Sequence, residues 1–179
     1  MTRYVAMLRG VNVGGTGKVK MGDLGALFTA LGHTDVKTYL QSGNVVFDSS
    51  ERGTDRLAAA AEQAVSAELG LDLTVLIRTH ADLSAVLTTN PYLDREDDLT
   101  KLPVTFLAAE PDQEKSAALT IPAGEPSVFT IVGREVYLHC PAGYGRTKLN
   151  NTFLERKLRV RATTRNWKTV TALYEMSSA

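Results

Sequence analysis

The chain has 179 residues, with twenty Lys/Arg balanced by twenty Asp/Glu, 44% hydrophobic and 22% charged residues, and one cysteine. This composition excludes a disordered chain and an internal disulfide. It also excludes a membrane span, since no run approaches the ~20 apolar residues that crossing requires. The lone thiol, Cys140, and the lack of a long apolar leader after Met1 point to a cytoplasmic protein, built as one large domain or two small ones.

In chain order, Tyr4 to Arg9 is a short apolar run that reads as a buried strand. A glycine-rich loop follows it. Met21, Leu24, Leu27, Phe28 and Leu31 then recur at helical spacing, and Gly32 stops the helix. Residues 35–41 and 44–48 flank Ser42-Gly43 as a hairpin. Thr54 can cap a long helix that runs to Leu69 and ends at Gly70, and residues 73–78 supply another strand. The order β-α-β-β-α-β is the split βαβ, or ferredoxin-like, plan.

A helix is expected at 81–87. Residues 90–101 carry Asn90-Pro91 and the acids Asp94, Glu96, Asp97 and Asp98, and read as a linker or surface excursion. Beyond it come a strand at 104–109, a helix at 112–119, and strands at 127–132 and 135–139 around Gly133-Arg134. Helices at 148–158 and 167–176 complete the chain. So β-α-β-β-α recurs, with a helix where the sixth element should be a strand. The expected fold class is α+β: two ferredoxin-like (split βαβ) subdomains, the second degenerate, with a helical C-terminus. The expected bounds are 1–78 for the first subdomain, 79–101 for a helix and acidic linker, and 102–179 for the second with its C-terminal helix. Two such sheets would meet at a cleft, the usual place for a ligand.

The chain is neutral overall but charge-polarised. Residues 134–168 hold nine Lys/Arg against two Asp/Glu, a surplus of seven that the rest must cancel. Concentrated positive charge attracts anions, of which phosphate is the commonest. Three segments are candidates. Arg9 to Lys20 combines glycines with Lys18 and Lys20 in a strand–loop–helix context. It fails the Walker A pattern, because Asn12 and Val19 stand where Gly and Ser/Thr are needed. It reads either as a phosphate cradle or as a solvated connection. Gly143 to Lys148 precedes an expected helix and offers Arg146 and Lys148 to an anion. The alternative there is a packed Tyr144 with charges in water. In Arg161 to Lys168, Thr163 or Thr164 can cap the last helix and Trp167 opens its apolar face. Arg165 and Lys168 are left for anions, with Arg156, Lys157 and Arg159 able to extend the patch.

Familiar catalytic sets do not stand out. His139 and Cys140 are strand neighbours whose side chains point to opposite faces. His33, His80 and His139 lack metal-ligand spacing, so no metal and no cofactor is expected.

Several longer motifs carry a resemblance. They are Leu8 to Gly15, Lys18 to Met21 and Thr38 to Phe47 in the first half, and Tyr144 to Leu149 and Ala162 to Val170 in the second. In these the chain resembles domain-of-unknown-function family 1697, a bacterial family, over almost its whole length. The resemblance implies an α+β protein made by duplication of ferredoxin-like halves, and no activity. It implies a set of polar signature residues: Arg9, Asn12, Lys18, Lys20, Gln41, Ser42 and Asn44 in the first half, and Tyr144, Arg146, Thr147, Lys148, Arg165 and Asn166 in the second. Such side chains orient an anionic or amide-bearing ligand.

The leading expectation is therefore a protein that binds a phosphate-bearing ligand, nucleic acid or nucleotide, in a cleft between the subdomains. Against nucleic acid stand the near-neutral pI of 6.8 and the lack of a strand-borne aromatic signature. The alternatives are an enzyme acting on a small phosphorylated substrate, which lacks an evident base or nucleophile, and a protein-interaction module with an acidic partner.

Overall fold

The computed structural model describes residues 1–11, 18–40 and 42–178. The chain forms two compact units, Met1–Ser84 with Leu173–Ala179, and Ala85–Ala172. Residues Asn12 and Gln41 lie outside the described residues, as does the glycine-rich loop between 12 and 17.

The first unit runs β1 (Thr2–Leu8), α1 (Met21–Ala30), β2 (Thr34–Tyr39), β3 (Asn44–Ser49), α2 (Thr54–Leu69) and β4 (Val75–Thr79). Its antiparallel sheet has the order β2-β3-β1-β4, which is the expected ferredoxin-like arrangement. The spacing of Leu24, Leu27 and Phe28 puts three apolar side chains of α1 on one face, and Leu57, Ala61 and Val65 do the same for α2. Both faces close over Tyr4, Ala6 and Leu8 of β1, Val45 and Phe47 of β3, and Val75 and Ile77 of β4. The residues between these, Val5, Met7, Val46 and Leu76, are buried as well. Burial on both faces is why β1 reads as an unbroken apolar run rather than an alternation. Thr54 does not cap α2: the N-cap is Gly53, and the Glu51 carboxylate accepts from the N–H groups of Arg52 and Gly53.

The second unit repeats the order as β5 (Val104–Leu107), α4 (Gln113–Ala118), β6 (Val128–Val132), β7 (Glu135–His139), α5 (Asn151–Leu158) and β8 (Ala162–Arg165). Its sheet order, β6-β7-β5-β8, matches the first. The sixth element is thus a strand, where a helix was expected. Its four residues pair with β5 from Val104↔Arg165 to Leu107↔Ala162. Thr163 and Thr164 belong to this strand and do not cap the last helix; Asn166 does, accepting from the N–H of Thr169. The reduction of the second half lies in element length, with β5 and β8 of four residues each and α4 of six.

Each half is followed by a ten-residue helix, α3 (His80–Thr89) and α6 (Trp167–Met176), so the repeating unit has seven elements. The repeat reaches atomic detail. Arg78 is the fourth residue of β4, pairs with Val5, and donates to the carbonyl of Ile77. Arg165 is the fourth residue of β8, pairs with Val104, and donates to the carbonyl of Thr164. Both arginines are buried.

The acidic stretch 90–101 is anchored to the second sheet. The Tyr92 hydroxyl meets Thr130 Oγ1 at 2.6 Å, and Glu96 meets His139 Nε2 at 3.1 Å. Asp98 caps a 3₁₀ turn at Leu99–Lys101. In the first unit, His80 Nδ1 lies 2.8 Å from Ser177 Oγ, and the His80 ring stacks on Tyr174.

Gly43 fixes the β2–β3 turn against β1. It adopts φ +85°, and a Cβ there would stand 3.2 Å from Leu8 and Val11 side-chain carbons. The N–H of Leu8 bonds its carbonyl at 2.9 Å. We predict that Gly43→Ala lowers the unfolding free energy by about 1–3 kcal/mol, through left-handed strain and the close contact. A urea midpoint equal to that of the parent protein would contradict this.

Candidate functional site

The residues singled out in the sequence divide into those bound into the scaffold and those open to solvent. In the first unit, Asn44 is fully buried, and its Nδ2 donates to the carbonyl of Tyr39 at 2.8 Å and to Ser42 Oγ at 3.1 Å. Asn44 and Ser42 therefore build the turn. Arg9 is half-buried at the end of β1, where its N–H bonds the carbonyl of Thr74. The Leu8–Gly43 bond brings this strand end beside the Ser42-Gly43 turn, so those two motifs do converge. Lys18 and Lys20 are exposed on the approach to α1.

In the second unit, α5 begins three residues later than expected. Residues Tyr144–Arg146 form a 3₁₀ turn, and Asn150 caps α5 by accepting from the N–H of Phe153. The Tyr144 hydroxyl accepts from the N–H of Asn151 and donates to Thr164 Oγ1, which in turn donates to Asn151 Oδ1. Thr164 also meets Thr105 Oγ1 at 2.8 Å. This buried-edge network ties the turn to β5 and β8, so Tyr144 serves the fold. Asn166 is the cap of α6. Arg165 alternates with Thr164 along β8, so it points to the sheet face away from α5. It bonds Thr163 Oγ1 at 2.8 Å, and burial lowers its pKa to about 10.

Four backbone donors of the Gly143–Lys148 loop are already engaged. Those of Gly143, Arg146 and Thr147 bond backbone carbonyls within the loop or just before it. The donors around Thr147 and Lys148 serve an internal anion, the carboxylate of Glu125. It accepts from Lys148 N at 2.9 Å and from Ser127 N and Thr147 Oγ1 at 3.0 Å. Burial raises its pKa, but these hydrogen bonds outweigh it and bring the group down to about 2. Glu125 does not stand out in the sequence, since a single acid before Pro126 has no motif. It staples the 120–125 segment to Lys148, whose Nζ also lies 3.3 Å from the carbonyl of Ala123.

That stapling shapes a groove of about 630 Å³. Thr120 and Pro122 form one wall, and Lys148, Asn150, Thr152, Phe153, Arg156 and Lys157 form the other. The Arg156 guanidinium lies 5.8 Å and the Lys157 ammonium 5.9 Å from the centre of the Phe153 ring. Lys148, Arg156 and Lys157 make no ion pair among the described residues, and all three are exposed. Arg146 is exposed on its turn and does not line the groove. Of the residues in the family-like motifs, Lys148 alone does. In the sequence, Arg156 and Lys157 figure only as an extension of the charged stretch, and Phe153 carries no motif. The one available signal is their helical register with Lys148 and Asn150.

Another groove, of about 490 Å³ between α1 and α2, is lined by Ala and Leu side chains with Asp23 and Glu68, and holds no cation. The Ser177–His80 contact is no nucleophile pair: Ser177 is buried and donates its proton to the carbonyl of Tyr174. Cys140 is buried, and burial raises its pKa. Among the described residues, no three His, Cys, Asp or Glu gather as metal ligands, and no helix is long and apolar enough to cross a membrane.

These observations define a duplicated ferredoxin-like α+β protein with a cationic groove on the second helix of its second half. The chain belongs to the family described as a protein of unknown function, DUF1697, which matches residues 1–137. It is similar in fold to the conserved bacterial protein SP0830 from Streptococcus pneumoniae, with a TM-score of 0.77 over 99% of both chains and 24% identity. None of the curated proteins matches it. The family match covers Thr120 and Pro122 but ends before Lys148 and α5, so it does not reach the cationic wall of the groove.

Glu125 gives a pH-dependent prediction. Its folded pKa of about 2 lies below the ordinary 4.5, so the folded chain binds its proton less readily than the unfolded chain. The stabilisation is complete above pH 4.5 and is lost as pH falls toward 2. Glu125→Gln should lower stability near neutral pH by about 1–3 kcal/mol, and the difference from the parent should close in acid. A deficit that stays constant with pH would count against the carboxylate.

Proposed function

We propose that the protein binds a phosphate-bearing ligand, nucleotide or nucleic acid, in the groove along α5. The single observation behind this reading is that three cations without ion-pair partners share one groove. A charged side chain kept only for solubility gains nothing from such grouping, since like charges repel. Multiple cations around a concavity attract phosphate and hold it by charge-assisted hydrogen bonds. The volume suits a small ligand, because such sites span about 300–1,000 Å³. The lining offers hydroxyls, an amide, a ring and cations but no carboxylate, imidazole or thiol. That favours binding over turnover. The lone buried thiol accords with a reducing, cytoplasmic setting.

Titration calorimetry with nucleotides and with a short single-stranded RNA tests this. If three phosphate contacts dominate, raising salt from 50 to 200 mM should weaken RNA binding by about tenfold or more. Replacing Lys148, Arg156 and Lys157 together with Gln should abolish binding at unchanged circular dichroism. Lys168→Gln, on α6, should leave it intact. No binding of any phosphate ligand by the parent protein would overturn the proposal.

A further inference from the structure

We infer that the groove takes a pyrophosphate group, as in a nucleoside diphosphate or triphosphate, and reads no base. This inference rests on the phosphate-binding reading of the same groove and gives it a finer chemistry. Arg156 and Lys157 are consecutive on α5, and both cations lie within 6 Å of the centre of one Phe153 ring. The negative π-face of a ring attracts cations, so Phe153 lets two like charges occupy one small region. Those contacts, with the packing of Phe153 against the second core, leave the ring less open to a stacked base, which needs an uncovered face. Lys148 adds the third cation, its backbone N–H held by Glu125. Asn150 and Thr152 add neutral donors to the same lining.

Charge this compact matches two linked phosphates better than a nucleic-acid backbone. A single strand carries one charge per nucleotide and is met by a row of cations beside a series of stacking rings. A monophosphate leaves part of the +3 unmatched. A pyrophosphate group fills the groove with two adjacent anionic centres, and the Arg156 fork can hold one of them at two oxygens.

The test is competition against a fluorescent ADP analogue in metal-free buffer. Pyrophosphate, ADP and UDP should compete within about threefold of one another, and AMP should be weaker by about tenfold, one charge-assisted contact being worth that much. Phe153→Leu keeps an apolar side chain but frees the two cations, and should weaken pyrophosphate and ADP equally, by several-fold. AMP equal to ADP would overturn the inference. So would a tenfold preference between ADP and UDP, or a single-stranded RNA that outcompetes pyrophosphate at equal phosphate. A Phe153→Leu defect confined to ADP would also overturn it, by revealing base stacking. Each of these outcomes leaves phosphate binding itself standing. A parent protein that binds neither the analogue nor any competitor would instead sink the underlying reading.

Discussion

The central strands of each sheet are kept out of water on both faces, and much of the structure depends on this. A strand with one wet face can alternate polar and apolar residues; these cannot, so β1 and β5 carry unbroken buried runs. Polar groups buried in the sheets, on the edge strands β4 and β8 as well as on β5, are hydrogen-bonded. Arg78 and Arg165 lie near the C-terminal ends of their strands, within reach of the preceding carbonyl. On the helix-covered face of the second sheet, Thr105 and Thr164 satisfy one another, and Tyr144 and Asn151 complete the set. A polar group left unpaired there would cost about 1–3 kcal/mol, so these residue types are fixed by the fold before any ligand is considered.

The same constraint sorts polar residues that serve the scaffold from those available for binding. Tyr144, Thr147, Asn44 and Asn166 are polar and motif-like, yet each hydrogen-bonds backbone or a neighbour in its own unit. The long cations are the exposed ones: Lys148, Arg156 and Lys157 on one wall of the groove, and Lys18, Lys20 and Arg146 elsewhere. Glu125 connects the two groups. Its carboxylate already occupies the Lys148 N–H and the Thr147 hydroxyl, donors that a loop of this type offers to an anion.

Much of the fold is legible in the sequence because hydrophobic period and punctuation agree. Leu24, Leu27 and Phe28 mark α1, Gly32 and Gly70 end helices, and β7 and α6 are expected at their observed bounds. What escapes a sequence reading is short or polar. β8 is Ala-Thr-Thr-Arg, without an apolar pattern, because on one face its threonine joins a hydrogen-bond network and on the other it buries an arginine. Without that strand the seven-element repeat is hidden too. The groove is harder still. Its wall at Thr120 and Pro122 is brought to α5 by Glu125, 23 residues before Lys148, and no local pattern encodes that contact. The concentration of positive charge is visible, whereas the pairing of Arg156 and Lys157 over Phe153 depends on helical geometry.

The position of the single tryptophan has a practical consequence. Trp167 is buried at the start of α6, within the second compact unit, whereas the first unit has tyrosine but no tryptophan. Its emission is therefore a native optical label for one half of a duplicated chain. Far-ultraviolet dichroism, by contrast, averages over both halves. Comparing the two signals through a denaturation curve measures, without added dye or substitution, whether the repeats lose their structure together or in sequence.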